Sequence, residues 1–161
     1  MATNAVLAQG GISALVVQVD TVTAQTTTTG WVTPAARTAS FASDVITGVA
    51  YYSSAFVTVD IITGTGTIPT LDVYIQREIP DGASPSRWCD IAAFTQFTST
   101  AAAQRGFGLV SGGNQEFTVT SSSLTGATSR SVPFGQTWRV FCTIAGTNPS
   151  WTFAVYASFN S

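Results

Sequence analysis

The sequence predicts an all-β fold of antiparallel strands, on three observations. Residues alternate apolar and polar with period two between clusters of turn-forming residues, which is the pattern of half-buried strands. The chain is poor in charge, with 9% charged residues against a typical ~25%. Its polarity comes instead from Ser and Thr, and Thr favours strands because its branched Cβ fits a pleated surface. At 161 residues the chain suits a single domain able to bury about 70% of its unfolded surface.

Taken in order, Ile12 to Thr23 (ISALVVQVDTVT) reads as a first strand, and the low-complexity TAQTTTTG after it as a loop or tether. This divides the chain into an N-terminal strand or arm over residues 1–30 and a body over residues 31–161. In Ala50 to Thr63, Val57, Val59 and Ile61 form an inward row, with Phe56, Thr58, Asp60 and Ile62 outward. Leu71, Val73 and Ile75 form a second inward row, and the GTGTIP between them reads as a hairpin corner. Pro80-Asp81-Gly82 combines a fixed φ, a side chain that bonds its own backbone and a residue free to take positive φ, so it marks a turn into a strand from Trp88 to Phe97. Shorter strands follow at Gly106 to Val110 and Gln115 to Thr120. A last hairpin is expected from Thr137 to Ile144 and Trp151 to Ser158, cornered by GTNPS. The corner phrase therefore occurs twice, as Gly66-Thr-Ile-Pro69 and Gly146-Thr-Asn-Pro149, at an offset of 149 − 69 = 80 residues.

Several function classes are excluded or left without support. The chain contains no His and no Lys. That removes Ser/His and Cys/His dyads, His-based zinc sites, Schiff-base lysines and phosphate-loop lysines. The carboxylates Asp20, Asp44, Asp60, Asp72, Glu78, Asp81, Asp90 and Glu116 offer no pair in the context of a glycosidase, and a calcium site from Asp81, Asp90 and loop carbonyls lacks the usual acidic spacing. We therefore expect a non-enzyme with no cofactor and no metal. A net charge of −2 and six dispersed Arg residues give no footprint for nucleic acid. No run approaches the ~20 apolar residues of a membrane span, so no membrane partner is expected. No basic residue precedes Arg37, which argues against a secretory signal and for a product of the cytoplasm. In that setting Cys89 and Cys142 are expected to be buried thiols. Trp31, Trp88, Trp138 and Trp151 are candidates for a sugar platform or for the core, and strand aromatics favour the core.

Val73-Tyr-Ile-Gln76, Asp81-Gly82, Trp88-Cys-Asp-Ile-Ala-Ala-Phe-Thr95, Gly135-Gln-Thr-Trp-Arg-Val140 and Ile144-Ala-Gly-Thr-Asn-Pro-Ser-Trp-Thr-Phe153 together resemble a domain of small structural proteins of tailed bacteriophages. The match runs over about residues 56 to 157. The resemblance implies an antiparallel β-sandwich, jelly-roll-like, similar to capsid decoration (head auxiliary or cement) proteins. It implies a structural virion protein on the capsid surface that stabilises contacts between major capsid subunits, with the major capsid protein and other copies of itself, in a homotrimer, as partners. The family carries no site motif to transfer. For docking, the arm supplies Leu15, Val17 and Val19, which share one face of a strand able to add to another chain's sheet edge. The alternative from another class is a carbohydrate-binding β-sandwich module of a phage tail fibre or baseplate, and a glycan hydrolase comes last.

Overall fold

The computed structural model describes residues 14–16, 31–82, 85–112 and 121–160. Over them the chain is all-β and antiparallel, as the alternation predicts, and hydrogen bonding joins its strands into one sheet. The strands are β1 (Ala14–Val16), β2 (Val32–Arg37), β3 (Phe41–Ala42), β4 (Ile46–Thr47), β5 (Ser54–Ile79), β6 (Arg87–Ala93), β7 (Ala103–Val110), β8 (Thr128–Ser129) and β9 (Thr137–Asn160). The expected Gln115 to Thr120 strand lies outside the described residues. The strands β2 to β4 were not anticipated, because their segment shows no sustained alternation.

The two expected hairpins do not exist. Each is instead one continuous strand, β5 of 26 residues and β9 of 24, and these two pair with each other from Ser54↔Asn160 to Arg77↔Trp138. The physical reason is that the two Gly-Thr-x-Pro phrases are each other's partners. Thr67 pairs with Thr147, and the register shifts on either side of that pair. Gly66 and Gly146 both take φ 120°, while Ile68 and Asn148 both take φ 50°. A Cβ at Gly66 would lie 2.8 Å from the Asn148 carbonyl oxygen, and one at Gly146 would lie 2.7 Å from the Ile68 carbonyl oxygen. Only glycine permits this crossing of backbones. A local twofold thus relates residue i to i + 80 at the joint (147 − 67 = 80). The one-residue difference in length ahead of the two phrases is absorbed by Ile62, a bulge left without a partner between Ile61↔Phe153 and Thr63↔Thr152.

The joint folds the β5–β9 ribbon back on itself. Trp138 and Phe159 are 159 − 138 = 21 residues apart on β9, with ring centroids 5.5 Å apart. A straight strand would separate them by roughly 70 Å at ~3.3 Å per residue. The predicted inward rows Val57, Val59, Ile61 and Leu71, Val73, Ile75 thereby enter one core with Trp138, Val140 and Cys142 from the first half of β9 and Val155, Ala157 and Phe159 from the second. Phe94 against Phe107, at 5.0 Å, joins the end of β6 to β7 across the same core. Trp31 stacks on Trp138 at 6.4 Å, and Phe134 meets Trp138 edge-on at 4.6 Å. The Trp138 indole donates to the Phe134 carbonyl, which satisfies its one polar atom inside the core. Outside the ribbon, β6 and β7 pair with the two halves of β5, and β1 to β4 line the far edge of β9.

Candidate functional site

The residues that carry the phage resemblance converge on one polar network. Gln76 on β5 and Asp90 on β6 are the buried polar residues among those described, each 0% exposed. β5 and β6 lie side by side, with Gln76 opposite Asp90 in register, so the two side chains meet as a cross-strand pair. Gln76 Nε2 donates to Asp90 Oδ1 at 2.8 Å and to Ser121 Oγ at 2.8 Å, while Gln76 Oε1 accepts from Arg139 Nε at 2.8 Å. The Arg139 guanidinium lies 4.2 Å over the Trp88 ring. Burial lowers the pKa of Arg139 from its ordinary value and the Asp90 charge works in the opposite direction, so the cation persists at any physiological pH.

Asp90 also receives three successive backbone amides, from Ser122 at 2.9 Å, Ser123 at 3.0 Å and Leu124 at 3.1 Å. Ser122 has φ 51°, which turns the chain so that these amides point the same way. Such a concave set of donors can bind an anion, but here the chain's own carboxylate fills it. With four donors on its two oxygens, Asp90 is committed to holding the 121–124 segment and has no free lone-pair direction aimed at solvent. The network's role is structural: it ties β5, β6, β9 and a connecting segment at one point.

The remaining carboxylates are dispersed. Asp81 is bonded to Arg87, so it does not join Asp90 in a calcium site. Asp72 accepts from Gln96 Nε2 at 3.0 Å and from Thr143 Oγ1 at 3.1 Å. Asp20 and Glu116 lie outside the described residues. Among the described residues no group of three His, Cys, Asp or Glu converges as a metal site. Cys89 and Cys142 are both buried and both free thiols. No helix among the described residues is long and apolar enough to cross a membrane.

Trp31, Trp138 and Trp151 are within 1% of full burial, so these rings are core rather than platform. Trp88 is half-buried beneath Arg139. Of the predicted docking residues, Leu15 lies on β1, whose backbone pairs with Phe159 of β9 in the same chain, and Val17 and Val19 lie outside the described residues.

What the sheet presents outward is apolar. On the half of the sheet formed by β7, the first part of β5 and the end of β9, the outward positions include Phe56, Val110, Thr58, Tyr156, Gly106 and Gly108, and Asp60 is the charged residue among them. Phe56 is 53% exposed and Val110 65%. The Phe56 ring lies on Gly106, where a Cβ would stand 2.6 Å from it. Gly106 thus makes room for an exposed aromatic to lie flat against the sheet. Hollows of about 200 and 350 Å³ open on the described surface, the first lined by Trp31, Arg37 and Phe41, the second by Phe94, Arg105 and Phe107. No protein-family profile, curated protein or solved structure matches the chain.

Proposed function

We infer that the chain is a structural virion protein of a tailed bacteriophage: a non-enzymatic β-sandwich, jelly-roll-like, whose homotrimer binds the outside of the capsid across contacts between major capsid subunits. The observation that carries this reading is the outward sheet face around Phe56 and Val110, which has one charged residue and exposes two large apolar side chains. Apolar surface of this kind marks an interaction site when it is contiguous. The motif residues Gln76, Trp88, Asp90 and Arg139 support it from the other side. Their polar atoms are spent within the fold, so what they specify is an architecture and not a reaction.

Reinforcement then works by mass action. A protein that binds the assembled shell and not its separated subunits stabilises the shell by about 2.7 kcal/mol per site at a hundredfold excess over Kd. The arm residues Leu15, Val17 and Val19 add main-chain and side-chain contacts to the shell in this reading. The test is co-sedimentation of the purified protein with capsids lacking it, followed by heating of the particles. Saturable binding and a raised disruption temperature are expected, with both reduced by Phe56→Ser. Binding to glycan-coated beads but not to capsids would overturn this reading in favour of a carbohydrate-binding tail module.

A further inference from the structure

The local twofold at the joint places Ile68 and Asn148 in equivalent positions, and they are not equivalent in cost. Both sit at φ 50°. Asn tolerates the left-handed region, whereas a β-branched residue there is an outlier. Ile68 gains nothing inside the chain in return, since it is 82% exposed. A strained residue held by its surroundings and directed into solvent is the pattern of a functional contact. The backbone crossing of Gly66 and Gly146 fixes the position of this side chain rigidly. Around it, Gly64 to Thr70 and Ala145 to Ser150 contain no charged residue, so the surface that receives Ile68 is uncharged as well.

The chain carries such a surface. The larger hollow is walled by Phe94, Phe107, Gly106, Ala127 and the backbone and side chain of Thr95, with a volume of about 350 Å³. Its one charged residue is Arg105, whose guanidinium donates to the carbonyls of Thr95 and Gln96 and lies 4.2 Å over Phe97. The cation is held down, which leaves the mouth apolar.

We propose that Ile68 of one copy seats in the Phe94–Phe107 hollow of the next, forming a head-to-tail contact that closes into a ring. A contact between two different patches of the same chain closes into a ring when its rotation permits and otherwise runs on as a filament. This inference rests on the trimer in the reading above and is independent of capsid binding.

The test is sedimentation velocity on the full chain. Wild type and Ile68→Val, which keeps a branched apolar knob, are expected to run as trimers. Ile68→Asn removes the knob and Thr95→Trp fills the hollow, so each alone runs as a monomer. Mixed one to one, they form a dimer and nothing larger, because one remaining knob meets one remaining hollow. Ile68→Asn keeps a thermal midpoint at or above wild type, which separates lost contact from lost fold, and Thr95→Phe replaces Thr95→Trp if the latter does not fold. A monomeric wild type, a trimeric Ile68→Asn or a mixture with no dimer overturns the proposal. A monomer that still binds capsids sinks this contact alone, whereas a trimer of this behaviour that ignores capsids sinks the capsid reading alone.

Discussion

Replacing Asp90 by Ala removes the one acceptor that holds three backbone amides and the Gln76 amide together. The loss can be worked from the contacts. Ser122 and Leu124 are half-exposed and Ser123 is exposed, so water can reach their amides once the carboxylate is gone, and each bond is worth a net ~1 kcal/mol. Gln76 is 0% exposed and keeps Ser121 Oγ as its second acceptor, so its Nε2 is not fully stranded. The buried cavity left by the carboxylate adds to the cost. The sum is about 3–5 kcal/mol, a large fraction of a domain's typical ~5–15 kcal/mol. At ~2–4 °C per kcal/mol for a chain of this size, the midpoint falls by roughly 10 °C. The assay is thermal and urea unfolding followed by circular dichroism, with hydrogen exchange at Ser122, Ser123 and Leu124 as the local readout. Asp60→Ala, on the outer face, serves as the control and shifts stability by no more than about 0.5 kcal/mol. A loss below ~1 kcal/mol for Asp90→Ala, or unchanged exchange in the 121–124 segment, refutes the clamp.

At a concentration where both are monomeric, Ile68→Asn is expected to raise stability by about 1 kcal/mol through relief of the left-handed backbone, read as a midpoint about 2–4 °C higher. Gly146→Ala meets the Ile68 carbonyl oxygen at 2.7 Å and an unfavourable φ of 120° together, so it costs roughly 3 kcal/mol or more in urea unfolding. Gly108→Ala, with nothing within 4 Å, is accommodated and shows that the effect is positional. Burial pushes the Cys142 thiol well above its ordinary value of 9.0. Below pH 9 the thiol is protonated in both folded and unfolded chains and stability does not depend on it. Above pH 9 the unfolded chain releases the proton that the folded chain keeps, so stability falls by up to about 1.4 kcal/mol per pH unit. Cys142→Ala flattens that slope between pH 9 and 11, and an unchanged slope would mean the thiol is not the source.

How much of this was legible in the sequence depends on range. Period-two alternation located Val57, Val59, Ile61, Leu71, Val73 and Ile75 on the inward face, and all six are core. The Pro80-Asp81-Gly82 turn is likewise set by local chemistry, with Gly82 at φ 71°. The Gly-Thr-x-Pro phrases misled for the same reason. Read alone, each has the residues of a hairpin corner, and only its partner 80 residues away turns it into a crossing inside a long strand. One signal was available: two near-identical phrases, one residue different in their lead-in, are what a local twofold with a single bulge requires. Asp90 was placed among loop carboxylates because its partners, at Gln76 and residues 122–124, are 14 and more than 30 positions away. The segment 32–47 offered no alternation because short edge strands on β9 expose most of their residues. The exposed Phe56 was predicted outward, but nothing in its neighbourhood announced that Gly106 lies beneath it.

The β5–β9 ribbon also determines when the molecule can become itself during synthesis. Its pairs join residues between 138 − 77 = 61 and 160 − 54 = 106 positions apart, so the central ladder has no local rehearsal. At ~5–20 residues per second on the ribosome, several seconds pass between the appearance of β5 and that of β9. Through that interval β5 can engage β6 and then β7, yet its whole second edge, 26 residues long, waits open. Folding through such distant pairings is slow, and an unpaired edge is a template for mispairing with another nascent chain. The same dependence acts as a checkpoint. A chain interrupted before β9 lacks half its core and both sides of the joint, so Ile68 is never set in place, and defective copies are barred from joining an assembly by the order in which the strands are made.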